Sequence, residues 1–214
     1  MTENIKSKLS SATLSDVLDE MGYPMQMLPI EIKPNFPEAT LFGKARILKL
    51  NKLKRKKDYK QVYRGLYFLE ILSKGDVLVV AGGFKDQAFF GELMSNLAIS
   101  KKIEGAIIDG CTRDKIETVR LRYPIFARNN FARDIKKRGI VTEVDSKFAK
   151  IGKVRINRGD YLFGDLDGIV VIPKKIKDQV LKRSIEARFI EEKVKKEIKN
   201  GSSISKILKE IGEF

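Results

Sequence analysis

Two short stretches carry residues suited to chemistry on a small acid: GELM (91–94) and GAIIDGCTRD (105–114). The second ends in a neighbouring cation and anion, Arg113 and Asp114. A guanidinium offers a planar fork that matches a carboxylate. A carboxylate offers a hard oxygen ligand of the kind Mg²⁺ or Mn²⁺ takes. Gly91 opens a stretch that reads as a helix, and the free N–H groups of a helix start attract anions. Together these parts suit a 2-oxo acid, which chelates a metal through its carboxylate and ketone oxygens while the metal stabilises an enolate. On spacing alone the Arg113–Asp114 pair reads equally well as a surface ion pair. Asp86 and Glu92 are further acids that can hold metal-bound water or simply face solvent. Cys111 reads as a small packing residue, and Asp109 as a turn residue or an outer support for a metal. Asp165 and Asp167 read as hairpin formers.

Composition narrows the chemistry. The 214 residues contain no His, which removes imidazole bases, Ser-His-Asp triads and His-ligated zinc. The single cysteine removes an internal disulfide and a thiolate cluster. Any metal site must therefore be built from oxygen. No apolar run approaches the roughly 20 residues of a membrane span. The N-terminus, MTENIKSKLSS, lacks the apolar stretch of a signal peptide, so a cytoplasmic location is expected. The net charge is +15, from 43 Lys and Arg against 28 Asp and Glu. Part of the excess lies in LKLNKLKRKKDYK, and part in the chain after residue 174. A basic surface can serve a nucleic acid or be a solvated Lys-rich face, and the solvated reading is favoured.

The surrounding elements must position the two stretches. VLVVAGG (77–83) is a β-branched, apolar run that reads as a strand buried on both faces. GELMSNLAISKK (91–102) reads as a helix, with Leu93, Leu97 and the neighbouring Met94 and Ala98 on one face. GAIID (105–109) reads as a second buried strand, and GCTRD as the turn beyond it. Strand, helix and strand at this spacing make a βαβ unit with parallel strands. Ligands of such units bind beyond the carboxyl ends of the strands. Earlier in the chain, LSSATLSDVLDEMG reads as a helix capped by Thr13 or Ser15 and stopped by Gly22. GKARILKL (43–50) and YPIFAR (123–128) read as strands, and VYRGLYFLEIL (62–72) as a helix. RGDYLFGDLDGIVVIP (158–173) reads as a hairpin, and the last forty residues as helix with a break at NGSS (200–203). The segment AGGFKDQ lacks the G-x-G pattern of a nucleotide loop, which ranks a methyltransferase last.

GELM, GAIIDGCTRD and YPIFAR, in this order and spacing, resemble the family of 4-hydroxy-4-methyl-2-oxoglutarate aldolases and RraA-type regulators of ribonuclease E activity. LSDVLDEMG, LFGKAR and the 158–173 hairpin resemble it too. The resemblance implies an α/β protein with a β/β/α swivelling-domain sandwich over residues 1–173 and a helical extension over 174–214. It implies a divalent-metal-dependent (class II) pyruvate aldolase, with Mg²⁺ or Mn²⁺ as cofactor and oxaloacetate decarboxylation as a further activity. It implies that Gly91, Glu92, Leu93 and Met94 contact substrate, that Arg113 binds it, and that Asp114 holds the metal. A homotrimer or homohexamer is implied, with Glu191 or Glu192 reaching a neighbour's site. The other role found in that family, a non-catalytic regulator of a ribonuclease, stands as the alternative, beside an RNA-binding protein. NNFARD (129–134) departs from the family's usual glycine-led turn, so that side of the pocket is expected to differ.

Overall fold

The computed structural model describes residues 5–212. The expected cytoplasmic N-terminus and the outer ends of the two expected domains fall partly on residues 1–4 and 213–214, outside that range. In chain order the elements are α1 (Ser11–Glu20), β1 (Lys33–Pro34), β2 (Leu41–Lys52), a 3₁₀ helix (Lys56–Tyr63), α2 (Arg64–Ile71), β3 (Asp76–Phe90), α3 (Glu92–Ser100), β4 (Gly105–Thr112) and α4 (Lys115–Arg120). They continue with β5 (Ile125–Asn130), β6 (Gly139–Val144), β7 (Phe148–Ile151), β8 (Val154–Asn157), β9 (Tyr161–Gly164), β10 (Ile169–Ile172), α5 (Lys177–Lys199) and α6 (Ile204–Ile211). The α/β class and the central βαβ unit are both present. No helix among the described residues is long and apolar enough to cross a membrane.

The main sheet runs β1-β5-β4-β3-β2-β9-β10, with β6 added on β2. Strands β2, β3, β4 and β5 are parallel neighbours. Their alternation separates two cores, because successive strand side chains point to opposite faces. Leu78, Val80, Ala106 and Ile108 join one cluster with Phe90 at the end of β3 and with Phe68 and Ala98 from the helices. Val77, Val79 and Ile107 join another with Phe126, Ile151 and Ile156. Both faces are thus covered, which explains why the β3 and β4 segments are apolar without alternation.

Several boundaries differ from the sequence reading. Strand β3 continues to Phe90 instead of ending near 83, leaving the β4 register at three places as it does so. Strand β4 continues through Thr112, so Cys111 and Thr112 are strand residues and the turn is only Arg113–Asp114. Pairing of Ala88 with Cys111 and of Phe90 with Thr112 supplies the extra hydrogen bonds. Gly82 permits the first departure. Its φ is 153°, and a Cβ there would lie 2.7 Å from Leu50 Cβ. The cap of α1 is Ser10, whose side chain accepts from Thr13 N–H, and neither Thr13 nor Ser15 takes that role.

Helix α1 is tied to the β9–β10 hairpin by one carboxylate. Asp165 accepts from Ser11 N at 2.8 Å, from Ser11 Oγ at 2.6 Å and from Asp167 N at 3.1 Å. Helix α5 lies against α1, with Val180 and Leu181 packed on Leu14 and Val17. Arg183 pairs with Glu20 and Arg188 donates to Leu9 O. Further along β2, Arg46 bridges Asp145 at 2.9 Å and Asp76 at 3.0 Å. Burial alone would raise the Asp145 carboxyl. Its hydrogen bonds and charge pairing with Arg46 and Arg158 outweigh that and hold it below the usual carboxylate range.

Two outcomes follow from these ties. Asp165→Ala removes the acceptor for the first turn of α1 and should lower unfolding free energy by about 1–3 kcal/mol, read from the urea midpoint at unchanged m. A depressed carboxyl contributes stability that is present above its unfolded value, near pH 4, and is lost as pH falls through its lower folded value. Asp145→Asn should therefore flatten part of the acid limb below about pH 4 in urea titrations run at stepped pH.

Candidate active site

The site forms where β3 and β4 end side by side. Phe90 pairs with Thr112 as the last rung, so the next residues of both strands, Gly91 and Arg113, emerge together. Arg113 N donates to Phe90 O at 3.0 Å, and Thr112 Oγ1 donates to the same carbonyl at 2.7 Å. These bonds fix the turn before its charged side chains are placed. Asp114 then adopts a left-handed conformation, φ 55°, an uncommon geometry that aspartate tolerates better than most residues. It returns its carboxylate towards the start of α3, where Oδ2 accepts from Glu92 N at 3.1 Å.

Gly91 makes that approach possible. A Cβ on it would collide with Asp114 Oδ2 and lie 3.1 Å from Arg113 Cγ. The glycine is required by proximity, since its own backbone is extended. Beyond it the first turn of α3 has one N–H engaged by Asp114. The next intrahelical bond comes from Ser95 N to Gly91 O. Among the described residues, the Leu93 and Met94 N–H groups have no acceptor, as expected of a helix start. They carry the positive end of the helix dipole.

Arg113 is held from two sides. Its Nε lies 3.6 Å from Asp114 Oδ2, and its Nη1 donates to Asp134 Oδ2 at 3.0 Å. No partner among the described residues engages Nη2. Asp134 is itself pinned. Its Oδ1 accepts from Lys136 N at 2.7 Å, and the flanking backbone bonds Ala88 through Arg133 O and Ile135 N. Gly91, Leu93, Met94, Arg113, Asp114 and Asp134 line one cleft, with Tyr63, Leu66, Phe89 and Lys136 around them.

The structure thus brings together Gly91, Met94, Arg113 and Asp114 as the sequence predicts, and Glu92 adjoins them through its backbone. Leu93 also lines the cleft, but at 73% exposure it does not share the buried face of Met94 and Ala98 with which the sequence groups it. Asp109 is neither turn nor cleft residue; it sits on β4 and pairs with Arg128 at 2.6 Å. Asp86 pairs with Arg133 at 3.5 Å. The Cys111 thiol is buried, which pushes it up from its ordinary value, and it donates to Lys85 O. That is the packing role expected of it. Within the chain, Glu191 accepts from Thr13 Oγ1 and Glu192 pairs with Lys195, both away from the cleft. Asp134, Lys136 and Tyr63 join the cleft without a sequence expectation for them. The only sequence signal for Asp134 was the charged departure in NNFARD; nothing local marks Lys136 or Tyr63.

Oxygen ligands for a metal are sparse here. Among the described residues there is no cluster of three or more acidic or thiol side chains. Asp114 is the carboxylate placed beside the free helix N–H groups, with one oxygen bound to Glu92 N. That suits a cation which keeps most of its waters and takes one or two carboxylates plus substrate oxygens, the usual habit of Mg²⁺.

The chain resembles known proteins over most of its length. A 197-residue alignment with Protein DlpA of Legionella pneumophila is 29% identical and covers 91% of this chain but only 31% of the other. A Halalkalibacterium halodurans protein named "Putative 4-hydroxy-4-methyl-2-oxoglutarate aldolase" is 30% identical, over 82% of this chain and 78% of its own. The crystal structure of a Streptomyces coelicolor protein, described as an unusual member of the RNase ES inhibitor RraA protein family, shares the fold. Its TM-score is 0.80 at 22% identity, over 90% of this chain and 95% of that one. Residues 11–171 match the RraA-like family model, described as Aldolase/RraA. That span holds the whole cleft from Val62 to Lys136, and the chain belongs to the RraA-like family.

Proposed function

We propose that the cleft cleaves 4-hydroxy-4-methyl-2-oxoglutarate-type 2-oxo acids to pyruvate with the help of a divalent metal. The observation that carries this reading is the convergence of three parts at the ends of β3 and β4. These are a guanidinium with a free Nη2, a carboxylate beside it, and two unsatisfied helix N–H groups. The similarity to proteins named for this aldolase supports it.

Arg113 binds the substrate's 2-oxo carboxylate through Nη2, while Asp134 and Asp114 keep the guanidinium plane oriented. The Leu93 and Met94 N–H groups meet substrate oxygens on which negative charge builds during cleavage. Asp114 would hold Mg²⁺ or Mn²⁺, which when bound supplies Lewis-acid polarisation of the ketone. Cleavage breaks the C3–C4 bond of the substrate. The 4-hydroxyl gives up its proton, and C3 of the departing enolate takes one to become pyruvate. With no His in the chain, a carboxylate or water carries that proton. Oxaloacetate is a second substrate on the same logic, because its decarboxylation passes through the same enolate. The carboxylate–guanidinium–carboxylate arrangement serves equally in a trimer or hexamer, the assembly this reading carries.

Three measurements test it. Purified protein with Mg²⁺ should release pyruvate from 4-hydroxy-4-methyl-2-oxoglutarate or oxaloacetate, and EDTA should stop it reversibly. No pyruvate from these or from a broader set of 2-oxo acids sinks the proposal. Arg113→Ala should lower kcat/KM by roughly 100-fold or more, the loss of a charge-assisted contact worth about 3 kcal/mol. Gly91→Ala should abolish turnover while leaving the circular dichroism spectrum intact, because the added methyl meets only the Asp114 and Arg113 side chains at the cleft.

A further inference from the structure

The +15 charge is unevenly distributed, and tertiary structure gathers much of it on one face. The end of β2 and the 3₁₀ helix present Lys52, Lys54, Lys56, Lys57 and Lys60, all exposed. The loop before β6 presents Lys136, Lys137 and Arg138, also exposed, and backbone bonds join it to the first segment. Leu53 N donates to Arg138 O at 2.7 Å, Lys52 pairs with Gly139, and Lys136 Nζ lies 5.4 Å from the Tyr63 ring centroid. Exposed Lys85, from β3, lines the same surface depression as Lys52. Among the described residues, none of these cations forms an ion pair.

Helix α5 shows what a merely solvated basic face looks like in the same molecule. Its cations sit among acids: Lys195 pairs with Glu191 and Glu192, Lys177 with Asp178, and Arg183 with Glu20. On the β2–β6 face the acids are few and already taken. Asp58 is paired with Arg55, Asp86 with Arg133, and Asp134 with Arg113. Unpaired like charges crowded together repel one another, so an incoming polyanion is favoured here. The cations spread over three segments, too widely for one small acid. All but one are lysines, which act as mobile point charges and not as planar forks that read base edges.

We propose that this face binds the phosphodiester backbone of a nucleic acid without regard to sequence. It lies beside the cleft but excludes Arg113 and Asp114, so it stands or falls independently of the lyase reading. If about five cations meet phosphates of a single strand together, the slope of log affinity against log salt is about −3.5. Affinity should then fall about 100-fold between 50 and 200 mM KCl.

The test is fluorescence anisotropy with a labelled 20-nucleotide mixed-sequence RNA and a 20-base-pair DNA duplex. Both should bind at 50 mM KCl, and the tighter one identifies the source of the backbone. The triple variant Lys54→Glu, Lys57→Glu and Lys137→Glu should flatten the salt slope for RNA by about two and weaken binding at least tenfold. Its thermal melt should stay near that of the parent. Lys193→Glu, Lys196→Glu and Lys199→Glu on α5, the same change in net charge, should leave affinity within threefold. Failure of either nucleic acid to bind at 50 mM KCl overturns the proposal, and so does equal weakening by the α5 variant. Flotation with phosphatidylserine vesicles under conditions where neither nucleic acid binds would assign the face to a membrane and overturn it too.

Discussion

The contact on which the site depends is the meeting of Asp114 with the start of α3 across Gly91. One carboxylate oxygen bonds Glu92 N, and there is no room for a Cβ between them. That single approach ties the turn after β4 to the helix after β3. It sets the distance between the anionic and cationic parts of the cleft. It also consumes one helix N–H while leaving the next two free. A helix start by itself is a generic anion site; a carboxylate built into it makes the remaining donors directional.

The rest of the fold serves this joint. Strands β3 and β4 reach the same level only because β3 runs on to Phe90 through three changes of register. The buried rungs beneath them, from Val77–Gly105 to Val80–Ile108, belong to a sheet covered on both faces. A close-packed base of this kind resists small shifts. The loop carrying Asp134 is fastened to Ala88 of the same strand, so the third charged group is referred to the same support. Strand β3 therefore carries the helix start, the anchor for Arg113 N and the anchor for the Asp134 loop.

Charge is organised at two scales. Around the cleft, Arg113 and Lys136 are matched by Asp114 and Asp134, so the site is nearly neutral, and the guanidinium is oriented by its two carboxylate partners. Beyond it, Lys52, Lys54, Lys56, Lys57, Lys60 and Lys137 stand on the β2–β6 face without an ion pair among the described residues, its acids being held by other cations. Near a surface, unit charges a few ångströms apart interact by several kcal/mol at an effective dielectric of about 20. Within about 8 Å at physiological salt such groups act together. The two scales set a paired, directional charge cluster beside a broad basic surface.

Much was legible in the residues themselves. The apolar runs at 77–80 and 105–108, the glycine-led helix at 91 and the Arg113–Asp114 turn define the βαβ unit and its ligand end, because burial on both faces leaves a local composition signature. The exclusion of imidazole and thiolate chemistry needs only the absence of His and the single Cys. What tertiary structure alone decided were pairings between residues far apart in the chain. Asp134 grips Arg113 from 21 positions away, and Lys52 and Gly139 become strand partners although far apart in the chain. Leu93, apolar and helical, leaves the core for the cleft because the inner face of α3 is filled by Met94, Ser95 and Ala98. Such facts depend on strand order and register, which the local sequence does not encode; they arise when the whole sheet chooses its neighbours.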